Sequence, residues 1–144
     1  MKKALLIFLV IGLLISCKSS ISLHASADKT ANPDTKRRQS NPVSIQVYQL
    51  KDDAKFKDAD FFQLTDAPEK VLGTDFIAPM TNFMISPAEN LEISVDMNSD
   101  AKYLGIIAAF QFIDHSKWKS IIPIDGESHF EIKIKGQTIL VNGK

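Results

Sequence analysis

Ile21, Leu23 and Ala25 alternate with Ser22, His24 and Ser26, the period of a strand with one buried and one wet face. Val43, Ile45 and Val47 alternate in the same way with Ser44, Gln46 and Tyr48, so a second strand follows, bounded by Pro42 and by Lys51-Asp52-Asp53. Between the two, over residues 28–42, the apolar pattern stops. Asn32-Pro33-Asp34 forms turns, Lys36-Arg37-Arg38 is charged, and Asn41-Pro42 closes the segment. After the second strand the period lengthens: Phe56, Ala59, Phe61, Phe62 and Leu64 recur at helical spacings, which predicts a short helix over 53–65 with Asp53 at its N-cap. Pro68 opens another short turn that ends at Gly73, giving a helical insert at about residues 53–73.

The remainder is rich in strands. Phe83-Met84-Ile85 precedes Ser86-Pro87, and Leu91, Ile93 and Val95 alternate with Glu92, Ser94 and Asp96. Residues 103–112 are almost continuously apolar, so this strand is covered on both faces, with Gly105 and Ala108-Ala109 leaving room for a neighbour's bulk. Strands at 118–124, 130–134 and 138–141 complete the set, the last two joined by a hairpin through Lys135-Gly136-Gln137. Seven to eight short strands, with a small helical insert between the second and third, predict a mainly β, two-sheet sandwich.

The start of the chain is different. Lys2-Lys3, the apolar run from Ala4 to Ile15, and Ser16-Cys17 form a secretory signal ending in a lipid-attachment cysteine, with polar Lys18-Ser19-Ser20 after it. The expected organisation is a signal peptide at 1–16, a lipidated tether at 17–20 and one sandwich domain at 21–144. The apolar run has about a dozen residues where a membrane-spanning helix needs roughly 20, so Cys17, carrying palmitate-type acyl chains, is the expected anchor. Lys18 stands where many enteric bacteria place the Asp that retains lipoproteins at the inner membrane, which favours the outer membrane, facing the periplasm. The chain has 144 residues, and losing Lys2 and Lys3 leaves 15 basic against 17 acidic side chains. That balance argues against a polyanion binder, so nucleic acid is not an expected partner. With a single Cys there is no intrachain disulfide.

Asp96-Met97-Asn98-Ser99-Asp100 imitates the opening of a calcium loop, but Ala101 stands where the sharp turn needs Gly and Ile107 where a bidentate Glu is needed, so a turn between strands is expected. His24, His115 and His129 lie on different elements without a second ligand nearby. There is no nucleophile elbow, phosphate loop or dinucleotide motif, and the one thiol is committed to lipid. Asp58 and Asp60 read as the wet face of a helix rather than an acid/base pair, and Phe61, Phe62 and Trp118 as core. No enzyme, cofactor or metal site is therefore expected. Residues 28–42 point the other way, because a polar excursion of this length in a small domain is usually functional.

In order behind the lipidation signal come Asn32-Pro33-Asp34, Arg38 with Ser40 and Pro42, Val47-Tyr48-Gln49-Leu50, Phe56, Ala59-Asp60-Phe61-Phe62-Gln63-Leu64 and Leu72-Gly73. They are followed by Pro87 with Glu89, Tyr103-Leu104-Gly105, Ala108-Ala109-Phe110 and Trp118. This series resembles the TssJ (VasD/SciN-type) outer-membrane lipoproteins of type VI secretion systems. Two departures stand out: the family's Gly-Arg-Pro-Ser-Pro becomes Arg37-Arg38-Gln39-Ser40-Asn41-Pro42, and its Pro-Gly-Glu turn becomes Pro87-Ala88-Glu89. The resemblance implies a transthyretin-like sandwich tethered to the outer membrane. It also implies binding of the periplasmic C-terminal domain of the inner-membrane component TssM, in a membrane complex that includes TssL. The loop between the first two strands would carry that contact, with Asp28, Asn32, Pro33, Asp34, Arg37, Arg38, Ser40 and Pro42 as partner-binding residues. A periplasmic ligand-binding or enzyme-inhibiting lipoprotein on the same scaffold is the alternative, because a fold does not fix a function.

Overall fold

The structure, a computed structural model, describes residues 18–144. The expected signal peptide at 1–16 and the expected lipidation site Cys17 lie outside the described residues. The first strand, β1 (Ser19–Ala27), buries Ile21, Leu23, Ala25 and Ala27 and turns the residues between them outward. It starts two residues before the expected Ile21, so Ser19 and Ser20, expected in the tether, belong to the sheet. The short strands β2 (Pro33–Asp34) and β3 (Gln39–Ser40) follow, and then β4 (Val43–Leu50). Three helices, α1 (Ala54–Asp58), α2 (Phe61–Asp66) and α3 (Pro68–Leu72), lead into β5 (Phe76–Ile85) and β6 (Asn90–Met97). The chain ends with β7 (Tyr103–Ala109), β8 (Lys119–Pro123), β9 (His129–Lys135) and β10 (Thr138–Gly143).

Two four-stranded sheets result, one in the order β10-β9-β1-β6 and the other β5-β4-β7-β8. In the first, β1 is antiparallel to β6 and parallel to β9. Their inner faces share a core that includes Leu23, Val43, Ile45, Ile106, Ile132 and Ile134. This is the mainly β sandwich the alternating pattern predicts, with a transthyretin-like architecture and the helices inserted between the second and third main strands. A second core lies on the outer face of the second sheet, where Tyr48, Leu50 and Ile107 meet Phe56, Leu64 and Leu72 of the helices. Because β7 serves both cores, its apolar run has no polar period: Leu104, Ile106 and Ala108 face the first sheet while Ile107 faces the helices.

Helix formation departs from the single 53–65 segment. The chain is extended at Ala59, and Asp60 begins a new helix by a capping box: its carboxylate accepts from the Gln63 N–H at 2.8 Å while its own N–H donates to the Gln63 side chain at 2.9 Å. Asp53 makes no capping bond and pairs with Lys57 instead. The break is supported from β8, where Lys119 Nζ donates to the carbonyls of Phe56, Lys57 and Ala59 at 3.0, 2.7 and 2.8 Å. A cation on these otherwise orphaned carbonyls stabilises the helix end, although burial lowers the Lys119 pKa. The strand expected at Phe83-Met84-Ile85 extends back to Phe76; its first half is hidden in the sequence by Pro79 and by a register shift opposite Val47 and Gln49.

The calcium-loop mimic is a turn. Buried Gln49 donates to the Asp96 carbonyl at 2.9 Å and accepts from the Asn98 N–H at 2.8 Å. Among the described residues, no group of three or more His, Cys, Asp or Glu is arranged to hold a metal ion, and no helix is long and apolar enough to cross a membrane. In the β5–β6 turn Ala88 has φ +62°, a left-handed conformation that favours Gly. Ala88→Gly is therefore expected to stabilise the domain by about 1 kcal/mol, read as an upward shift of the thermal midpoint. An unchanged or lower midpoint would mean that the strain is relieved elsewhere.

Candidate functional site

Residues 28–42 form a framed hairpin in which β2 and β3 pair Pro33 with Ser40 and Asp34 with Gln39. Asp28, at the exit from β1, accepts from the Thr30 N–H and hydroxyl at 2.9 and 2.8 Å, which turns the chain away from the sheet. Asn32 is buried with φ +50°; its side chain donates to the Pro42 carbonyl at 2.9 Å and accepts from the Gln111 N–H at 2.8 Å. Asp34 is also buried and accepts from the N–H groups of Lys36 and Arg37 at 2.9 and 3.1 Å. The Ser40 hydroxyl donates to the Lys29 carbonyl at 2.8 Å, and Pro42 is exposed.

Asn32 and Asp34, expected as partner contacts, are buried and engage their side-chain polar atoms in bonds that frame the hairpin. Both face inward, where their polar atoms close the turn that holds the crest in shape. Ala31 is fully buried as well, so the segment also contributes to the core. The crest left outside is Thr35, Lys36, Arg37, Arg38 and Gln39. Arg37 is 76% exposed and only loosely paired with Asp34, at 3.8 Å. Arg38 has φ +54° at the reversal of the hairpin. Between the crest, Lys29 and the Pro87 turn lies a shallow concavity of about 650 Å³. Three cations on a preformed crest suit carboxylates on another molecule.

Gln111 is the hub that sequence reasoning missed. Besides holding Asn32, its side chain accepts from Asn41 at 3.1 Å and donates to Asp34 at 3.4 Å, tying the hairpin to the β7–β8 connection. Its signal was a polar residue interrupting the apolar run of 103–112. The aromatic trio also divides differently from the core expectation: Phe61 and Trp118 are half-buried and meet edge to face at 5.3 Å, whereas Phe62 is 63% exposed. On α2, only Leu64 points fully into the second core.

The Arg37 N–H donated to its carboxylate, followed by bonds from Gln111 and Lys36, holds the Asp34 pKa below its ordinary value of 3.8. A depressed carboxylate stabilises the fold above the unfolded pKa and loses that contribution as pH falls through the folded value. The hairpin is thus expected to stay framed at neutral pH and to loosen only below pH 3.8. Amide resonances of Lys36 and Arg37 should titrate with a midpoint below that value and lose the transition in Asp34→Asn. A midpoint at or above it would contradict the assigned frame.

The family model of the type VI secretion lipoproteins VasD, EvfM and TssJ matches residues 19–138. The fold is similar to the lipoprotein TssJ1 from Pseudomonas aeruginosa, at 26% identity over 88% of this chain and 97% of that one, with a TM-score of 0.80. It is also similar to Lip of Serratia marcescens, a membrane-bound component of the type VI secretion system, at 26% identity over 86% and 97% of the chains and a TM-score of 0.78. A chain of the structure described as the TssM C-terminal domain (869–1107) from EAEC matches at 25% identity over 85% and 99% of the chains, with a TM-score of 0.70. Among curated proteins none matches the chain.

Proposed function

The chain belongs to the type VI secretion lipoprotein family, and we propose that it acts in the membrane complex of that system, where it tethers the inner-membrane component TssM to the outer membrane. Cys17 carries the lipid, the mature chain begins there after removal of residues 1–16, and the sandwich faces the periplasm. The crest of the 28–42 hairpin receives the periplasmic C-terminal domain of TssM, in a complex that also contains TssL. The role is architectural.

The observation that carries this proposal is the hairpin itself. Its buried polar residues are spent on its own shape and its cations are left outward, so little ordering entropy is lost on docking. The match to a chain in the structure described by its TssM domain supports the choice of partner.

Tethering makes a prediction that simple binding does not. Lipidated protein in phospholipid vesicles is expected to carry the TssM domain into the floating fraction. Cys17→Ser, which removes the only expected anchor, should bind the domain equally well in solution yet leave it at the bottom of the gradient. Flotation of Cys17→Ser with outer-membrane vesicles free of TssM would reveal a second anchor and contradict the proposal.

A further inference from the structure

Ser19, next to the proposed lipid site, and the hairpin sit at opposite ends of β1. Ser19 is already paired with Met97 of β6, so a single residue, Lys18, separates the proposed lipid site Cys17 from a hydrogen-bonded sheet, at most about 7 Å along an extended chain. Around Ser19 stand the β6–β7 and β8–β9 turns: one cleft of about 250 Å³ is lined by Ser19, Asn98, Ser99, Gly126 and Glu127 among others. The Ser22 N–H donates to the Ser128 carbonyl at 2.8 Å, which fixes the second turn against the strand. At the far end, Asp28 and Asn32 bond to the carbonyls of Ile134 and Gly136, so the hairpin base belongs to the opposite pole.

Resting on the lipid-anchor proposal above, we propose that the pole built from Ser19, the 98–100 turn and the 125–127 turn stands against the phospholipid headgroups of the leaflet that holds the Cys17 lipid. β1 is then a stiff spacer. Its nine residues span eight rises of roughly 3.3 Å and carry the base of the hairpin about 26 Å farther from the membrane. Such a short tether cannot lift the domain away, and β1 enters between β6 and β9 rather than at a sheet edge, so the body is held upright.

The chemistry of the pole agrees with headgroup contact and not with insertion. Asn98, Ser99, Asp100, Asp125, Gly126 and Glu127 are all exposed and polar or small. Among the described residues, the large exposed apolar side chains, Phe62, Met84 and Leu140, lie elsewhere. Acidic Asp100, Asp125 and Glu127 are balanced by Lys18, Lys51 and Lys102, with Lys51 3.9 Å from Asp100. A charge-balanced surface of this kind neither repels an anionic leaflet nor provides a polybasic second anchor.

The test uses lipidated full-length protein in vesicles of phosphatidylethanolamine and phosphatidylglycerol carrying a headgroup-linked quencher. Cys17 is consumed by its lipid, so Ser99→Cys and Thr35→Cys each offer one thiol for a fluorophore, at the two poles. The Ser99 probe is expected to be quenched several-fold more than the Thr35 probe. Inserting about ten Gly and Ser residues between Lys18 and Ser19, a coil of roughly 17 Å, should remove most of that difference. Equal quenching at both positions in floated, uninserted protein would overturn the upright stance while leaving the anchor in place. Protein that fails to float would overturn the anchor and, with it, this inference.

Discussion

Phe56→Ala is expected to cost about 3–5 kcal/mol, the range for emptying a fully buried aromatic site. Phe56 is the largest side chain that α1 sends into the second core. Its ring lies 5.5 Å from that of Tyr48 and directly over Gly105. A Cβ at position 105 would sit 2.7 Å from two atoms of the ring and 3.0 Å from Leu50, so Gly105→Ala is expected to cost about 1–3 kcal/mol through overpacking. The two substitutions act on one space, and the double variant should therefore lose less than the sum. Thermal and urea melts check this, with the single Phe56→Ala midpoint falling by about 10 °C or more. A loss under about 1 kcal/mol would mean that the insert does not close over the second sheet, and would detach it from the Lys119 cap that links it to β8.

The strands that alternate cleanly were legible in the sequence because one face of each meets the shared core: Ile21 to Ala25 in β1 and Val43 to Val47 in β4. The run at 103–112 correctly announced burial on both faces, and Gly105 marked the place of a bulky neighbour before that neighbour was known. What stayed hidden was decided by partners distant in sequence. The helix break at Ala59 depends on Lys119, some 60 residues away. The first half of β5 depends on a bulge opposite β4. At the candidate site, composition alone pointed to residues 28–42 as functional, but it did not separate inward from outward side chains. Asn32 and Asp34 are turn formers in sequence and buried hydrogen-bonding groups in the fold, a distinction made by Gln111, which comes from another strand's end.

Reversing the crest charge, Arg37→Glu with Arg38→Glu, is expected to weaken binding to the TssM periplasmic domain by at least about a hundredfold, about 3 kcal/mol. Each wild-type guanidinium can clasp a carboxylate through two parallel hydrogen bonds, and each replacement repels the same carboxylate. The fold should not suffer. Arg37 is 76% exposed, and its contact with Asp34 is long at 3.8 Å. The frame beneath uses the Arg37 backbone N–H, which the substitution keeps. Added salt should weaken the wild-type complex and narrow the gap to the variant, since exposed charges at the rim are screened.

Isothermal titration of the TssM periplasmic C-terminal domain into wild-type and Arg37→Glu/Arg38→Glu protein, with a thermal melt of each, tests the hairpin as the tethering surface most directly. Loss of at least about a hundredfold in affinity with superimposable melts is the result expected if the crest carries the contact. Equal affinity with equal melts would contradict it and move the interface to the sandwich faces or to the helical insert, where Phe62 is exposed.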